Sequence, residues 1–227
     1  MAVQHGVPGE WAKVKGTVLS LWPLFLVFTL LGAMGASLIL GRWTGIFSAA
    51  FFLSVILMAV LWRNGLRRVE SFFKGARGEE IVAGILAGLP PDYHVFHDFT
   101  AGSFHVDHVV LGPTGVLSIE TKYWAGQVTV EEGHVLVDGR LPSRSPVSQA
   151  LSQSDAVKAV LKSAGCENTV TALVCFASNT CAASGKTVSS VTLLNAHALR
   201  AWIEARPTVI APNDLKRLVQ LMETRDR

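Results

Sequence analysis

Cysteine is scarce in this chain. There are three, Cys166, Cys175 and Cys181, an odd number with no Cys-x-x-Cys pair. That speaks against a disulfide framework or a zinc site and fits reduced thiols in a cytosolic domain. Charge is scarce too: Asp, Glu, Lys and Arg make up 16% of the residues, while half are hydrophobic. The formal net charge of +3 is mild. It permits contact with nucleic acid or anionic lipid and requires neither. Internal repeats and low-complexity tracts are absent. So is a complete phosphate-binding loop, because SGKT at 184–187 needs a glycine five residues before Gly185, where Thr180 stands.

The want of charge is sharpest from Gly16 to Gly41, where no residue is charged. Residues 18–40 are long enough to cross a hydrocarbon core of about 30 Å as a helix rising about 1.5 Å per residue. Arg42 interrupts, and residues 43–62 are again uncharged. The short link predicts a two-span antiparallel hairpin over 18–62, with Gly32 and Ala36 giving the small-residue spacing that lets helices approach. Trp22, Trp43 and Trp62 fall near the span ends, where indole rings favour the bilayer interface. Lys13 and Lys15 precede the first span. Arg63, Arg67 and Arg68 follow the second, with Lys74 and Arg77 close behind. The positive-inside rule then places the 1–17 segment and everything after the spans in the cytoplasm, at the inner or plasma membrane. A cleaved signal peptide fits poorly, because the first run is too long and a second follows it. Residues 63–74 read as a basic juxtamembrane linker.

From Gly75 to the end, helix and strand patterns alternate, predicting one α/β domain over 75–227 with a mixed sheet flanked by helices. Ile81, Ile85 and Leu89, widened by Val82 and Leu86, form a helical stripe that ends at Pro90-Pro91. Strands are expected at 93–99, 105–111 and 116–122, the last two joined by the tight turn Gly112-Pro113-Thr114-Gly115. A meander follows at 127–139. A helix starts at Pro146 and runs to about Ala164. A buried strand at 170–177, a strand at 188–194, a helix near 196–205 and a helix after Pro212 complete the chain.

The 105–122 stretch, HVDHVVLGPTGVLSIETK, is apolar except near its ends. Burying a charge there is costly unless it is paired or binds something. Glu120 and Lys122 are two apart and share a strand face. The turn brings Asp107 back toward that end, beside Glu120. Two adjacent carboxylates repel unless a cation or a proton lies between them. Oxygen ligands favour Mg²⁺ or Mn²⁺, which hold phosphates and activate water, and a nearby lysine can stabilise charge on an attacked phosphate. The plain alternative is a Glu–Lys pair at a solvated strand end. His94, His97, His105 and His108 form two His-x-x-His pairs, but residues three apart on a strand face opposite ways and cannot chelate together. Cys175 reads as core. Arg140, Arg144, Lys158 and Lys162 could rim a nucleic-acid surface, or simply be solvated.

Three stretches, GARGEE from Gly75, HVDHVVLGPTGVLSIETK and SPVSQA from Ser145, together resemble the nuclease-related domain family. That family is similar to the restriction-endonuclease-like PD-(D/E)XK superfamily. The resemblance covers about residues 72–165 well and the remainder loosely. It implies a restriction-endonuclease-like fold and phosphodiester hydrolysis, with DNA favoured over RNA. Asp107 and Glu120 would hold Mg²⁺ or Mn²⁺, Lys122 would assist attack, Glu79 would match the acid of the first helix, and Gln149 the glutamine of the later helix. The chain departs from the pattern at Val106, where the superfamily's namesake motif has Pro, at Ser145, where Asn is frequent, and at Gln153, where an aromatic often stands. A membrane-anchored binding module without turnover is the rival expectation, and a structural protein whose domain self-associates is a third. The oligomeric state is left open.

Overall fold

The computed structural model describes residues 1–41, 44–102 and 104–225. They form two units, Trp11–Lys74 and Met1–Glu10 together with Gly75–Arg227.

The first unit holds helix α1 (Glu10–Leu40) and the opening part of helix α2 (Thr44–Ala87). Glu10–Ile39 has 30 residues, apolar enough and long enough to cross a membrane. Among the described residues it alone passes both conditions. Among the described residues the second apolar run, Gly45–Ala59, is shorter. The expected pair of spans at 18–40 and 43–62 is therefore corrected to one helix of spanning length. Arg42 and Trp43 lie outside the described residues, as do the side chains of Trp22, Trp62, Arg63, Arg67 and Arg68. Among the described residues a Cβ on Gly32 would meet nothing within 4 Å. The helices come close near Gly16, where a Cβ would lie 3.3 Å from Phe72 Cβ. Lys15 sits over the Trp11 ring, 4.1 Å from its centroid. Residues 63–74 are helical throughout.

The second unit is built on a seven-stranded mixed sheet. Its strands are β1 (Val3–His5), β2 (His94–Ala101), β3 (Phe104–Gly112), β4 (Gly115–Lys122), β7 (Val170–Phe176), β9 (Val191–Asn195) and β8 (Thr187–Val188), in that spatial order. β5 (Val128–Glu131) and β6 (His134–Val137) pair separately. β1 runs parallel to β2, and β4, β7 and β9 are mutually parallel. β2, β3 and β4 form an antiparallel meander. This α/β arrangement with flanking helices agrees with the sequence-based expectation. Two details differ. β1 was not expected, because three residues are too few to display alternation. The strand expected at 188–194 is split into β8 and β9, because Ser189 and Ser190 both take positive φ, 47° and 66°, and reverse the chain.

Alternation along the strands sends apolar side chains to both faces. On one face Val95, Val110, Leu117 and Ile119 pack with Val82 and Leu86 of α2, with Leu89 just beyond it and with Leu199 of helix α4 (Ala196–Glu204). On the other, Phe96, Val109 and Val116 pack with Val157 and Leu161 of helix α3 (Pro146–Ser163) and Met222 of helix α5 (Pro212–Arg225). α3 starts where Ser145 accepts a hydrogen bond from the Ser148 amide, with Pro146 in the first turn.

The β3–β4 turn depends on two glycines. Gly115 has φ 123°, and a Cβ on Gly112 would fall 2.2 Å from the Tyr93 ring. That ring is anchored by its hydroxyl, which donates to Thr114 Oγ1 at 3.1 Å. Gly112→Ala is expected to destabilise the second unit by about 1–3 kcal/mol through overpacking, measured as a lower unfolding midpoint. A variant as stable as the parent contradicts this account of the turn.

Candidate active site

The β3–β4 ladder ends at the pair His108–Ile119. Continued by one step it would set Asp107 opposite Glu120. Instead the Thr121 amide donates to Asp107 Oδ2 at 2.7 Å, so a side chain takes the place of a backbone rung. On the other side, β2 pairs His97 with His108 and Phe99 with Val106, so the register steps over Asp98 and Asp107. Asp98 has φ 52°. The sheet is thus irregular at two aspartates on neighbouring strands.

Glu120 is buried, at 3% exposure. Its Oε1 accepts from Lys122 Nζ and its Oε2 from Gln153 Nε2. Gln153 Nε2 also donates to the His105 carbonyl at 3.2 Å, while its buried Oε1 has no hydrogen-bond partner. Glu79 comes from α2. A Cβ on the preceding Gly78 would lie 2.8 Å from Tyr123 Cβ, so glycine lets the helix press against the end of β4. Asp98 Oδ1 lies 3.6 Å from His105 Nδ1.

These acids act on one another. Burial, then the Asp98 charge and, less strongly, Glu120 lift Glu79 to about 7 against the Gly9 amide and Lys122, which pull it down. Burial, then Glu120 and Glu79, holds Asp107 well above the usual carboxylate range against the Thr121 amide and Lys122. Glu79, Asp107, Glu120 and Lys122 therefore share one neighbourhood. Gln149, half-buried, lies one turn before Gln153 on α3, and it is Gln153 that reaches Glu120. Asp98 and Gln153 are the participants that sequence reasoning passed over. Asp98 stood in an apolar strand whose positive φ leaves no mark in the sequence, and Gln153 stood where an aromatic was expected.

Whether these residues fit a metal turns on the donors. Among the described residues no three His, Cys, Asp or Glu side chains converge as a closed metal site. Mg²⁺, however, is bound by one or two carboxylates with waters and substrate phosphates making up the rest. Asp107 and Glu120, oxygen donors whose charges repel, meet that requirement.

The other histidines form a separate cluster. His97 Nδ1 lies 2.8 Å from His108 Nδ1, and His97 Nε2 lies 2.6 Å from Gln4 Oε1. Burial holds both imidazoles below their ordinary range. Cys175 is fully buried, its thiol pushed up to about 12 by that burial. Arg140, Arg144, Lys158 and Lys162 are exposed.

Residues 74–177 match the family model of the nuclease-related domain, NERD. An uncharacterized protein of Bacillus anthracis is 33% identical over 82 residues, covering 33% of this chain and 39% of that relative. The chain thus spans well under half of the relative's length. No solved structure matches.

Glu79 binds its proton more tightly in the fold than at its ordinary value of 4.5. Stability from this group is full below about 4.5 and is lost as pH rises toward about 7. Glu79→Gln should therefore raise the unfolding temperature at pH 8 by roughly 3 °C or more and change it little at pH 4. A gain that is equal at both pH values contradicts the assignment.

Proposed function

We propose that the nuclease-related domain is a metal-dependent phosphodiester hydrolase acting on nucleic acid, with DNA the favoured substrate. The observation that carries this reading is the mutual charging of Glu79, Asp107 and Glu120 beside one lysine. A single Lys122 does not neutralise that group, and a divalent cation with a phosphate would. Asp107 and Glu120 would hold Mg²⁺ or Mn²⁺, which when bound supplies Lewis-acid polarisation of the phosphate and a lower pKa for bound water. Lys122, held against Glu120, would turn to the phosphate as negative charge builds on it. Gln153 would keep the Glu120 carboxylate oriented, and Gln149, one turn earlier, would face the entering strand. Hydrolysis joins the water oxygen to phosphorus and breaks the bond from phosphorus to the leaving sugar oxygen. One proton leaves the water and one joins the leaving oxygen.

A second reading is favoured by a specific feature: both Glu120 oxygens already have partners, Lys122 and Gln153. On that reading the domain binds nucleic acid or protein without turnover. Purified full-length protein in detergent, given labelled DNA and RNA with Mn²⁺ or EDTA, separates the two. Hydrolysis predicts cleavage that needs the cation and falls at least about 100-fold in Glu120→Ala and Lys122→Ala, the scale of losing a main electrostatic stabiliser. Binding that persists in EDTA, with equal traces of cleavage in parent and variants, sinks it.

We also infer that the 11–74 segment associates with a lipid bilayer through α1, holding the domain at the cytoplasmic face of the inner or plasma membrane. β1 and β2 belong to one sheet, so both ends of this segment attach to the same unit. Both ends of the segment would then lie on one side of the bilayer. Tags fused before residue 1 and after residue 227 are expected to be digested together, or protected together, in sealed membrane vesicles. Protection of one and loss of the other contradicts the arrangement.

A further inference from the structure

The family match begins at residue 74, yet the first nine residues are built into the same unit as the candidate site. β1 pairs with β2 in the register Val3–His94, Gln4–Val95 and His5–Phe96. The Ala2 amide donates to the Ala87 carbonyl at 3.3 Å, and the Val3 amide to the Tyr93 carbonyl at 2.9 Å. The His5 ring stacks on Phe96 at 4.3 Å. The chain then turns at two glycines with positive φ, Gly6 at 74° and Gly9 at 69°. Each is a close approach as well as a turn. A Cβ on Gly6 would lie 2.5 Å from the His97 carbonyl oxygen. A Cβ on Gly9 would lie 2.9 Å from both Cα and Cβ of Ala76.

Ala76 is fully buried and lies one helical turn before Glu79 on α2. Gly9 thus rests on the helix face from which Glu79 projects, close enough for its amide to help favour the charged form of the Glu79 carboxylate. Gly9 immediately precedes α1, so its N–H is outside the ladder of that helix and can serve another group. A bond from an amide to a carboxylate is among the stronger kinds. No side chain of residue 9 is involved, and the position requires glycine for both its φ and its contact with Ala76.

We propose that residues 2–9 are a working part of the nuclease site, with Gly9 a positioning residue whose backbone N–H fixes the Glu79 carboxylate among Asp98, Asp107 and Glu120. This rests on the hydrolase reading. It means that the domain matched at 74–177 is completed by a strand and a turn that precede the long apolar helix. A chain started at residue 70 would lack the clamp and leave the β2 edge bare.

The test removes the N–H and adds nothing. Glycolate placed at position 9 by nonsense suppression turns the Gly9 amide into an ester in the full-length protein. Gly9→Ala is the conventional companion, introducing the clash with Ala76. Cleavage of labelled DNA with Mn²⁺ is expected to fall about tenfold in kcat for the ester, the scale of one hydrogen bond to a charged group, with KM within about twofold. In a Glu79→Ala background the ester should add nothing. Unfolding temperature at pH 8 should show the same coupling across the parent, the ester, Glu79→Ala and the two combined. The ester lowers it by a few degrees when Glu79 is present and leaves it unchanged in the Glu79→Ala background, where no acceptor remains to be held. An ester with parental kcat, or one whose penalty is unchanged by Glu79→Ala, overturns the proposal. If the parent cleaves nothing, the hydrolase reading fails, and the unfolding cycle still decides whether Gly9 holds Glu79.

Discussion

The hydrogen bond from the Thr121 amide to Asp107 ends one ladder and begins a site. Up to His108–Ile119, β3 and β4 exchange backbone bonds. Beyond it, an aspartate side chain serves as the acceptor, where acids from four elements, α2, β2, β3 and β4, act on one another. This carries a cost. Lifting Glu79 from 4.5 to about 7 corresponds to about 3 kcal/mol of unfavourable interaction at neutral pH before solvent screening. The apolar layers on both faces of the sheet offset it, and the unmet charge is what makes a cation or a phosphate-bound metal a fitting occupant.

Much of this was legible in the residues. The apolar run from Val109 to Leu117, interrupted by a Gly-Pro-Thr-Gly turn, fixes a hairpin, and the hairpin fixes Asp107 near Glu120. The period-two rule places Lys122 on the Glu120 face, and the two are indeed bonded. The long helix after Pro146 and the buried strand from Val170 follow from the same periodicities. What was not legible depends on distant contacts. Asp98 enters through a positive φ, Gln153 through the turn of α3 that meets β4, and Gly78 through the closeness of Tyr123. None leaves a local pattern.

The apolar half of the chain is less determined. Charge-free stretches suggested two spans, while among the described residues one helix, Glu10–Ile39, has the length and composition to cross. Strand β1 adds a constraint that hydropathy does not contain. Residues 3–5 pair with residues 94–96, so the apolar excursion is closed at its base by hydrogen bonds in the same sheet as the site. The segment that would hold the domain at a membrane and the segment that steadies Glu79 are therefore adjacent in the chain, separated at the start of α1.

The central claim is that Asp107 and Glu120 form one divalent-cation site at the open end of the hairpin. Titrating Mn²⁺ into the full-length protein by calorimetry tests it without any assumption about substrate. A single binding event is predicted, lost in Asp107→Asn and in Glu120→Gln and kept in Cys175→Ala, whose parent thiol lies buried in the core. Absence of Mn²⁺ binding in the parent, or binding that survives both carboxylate substitutions, contradicts it.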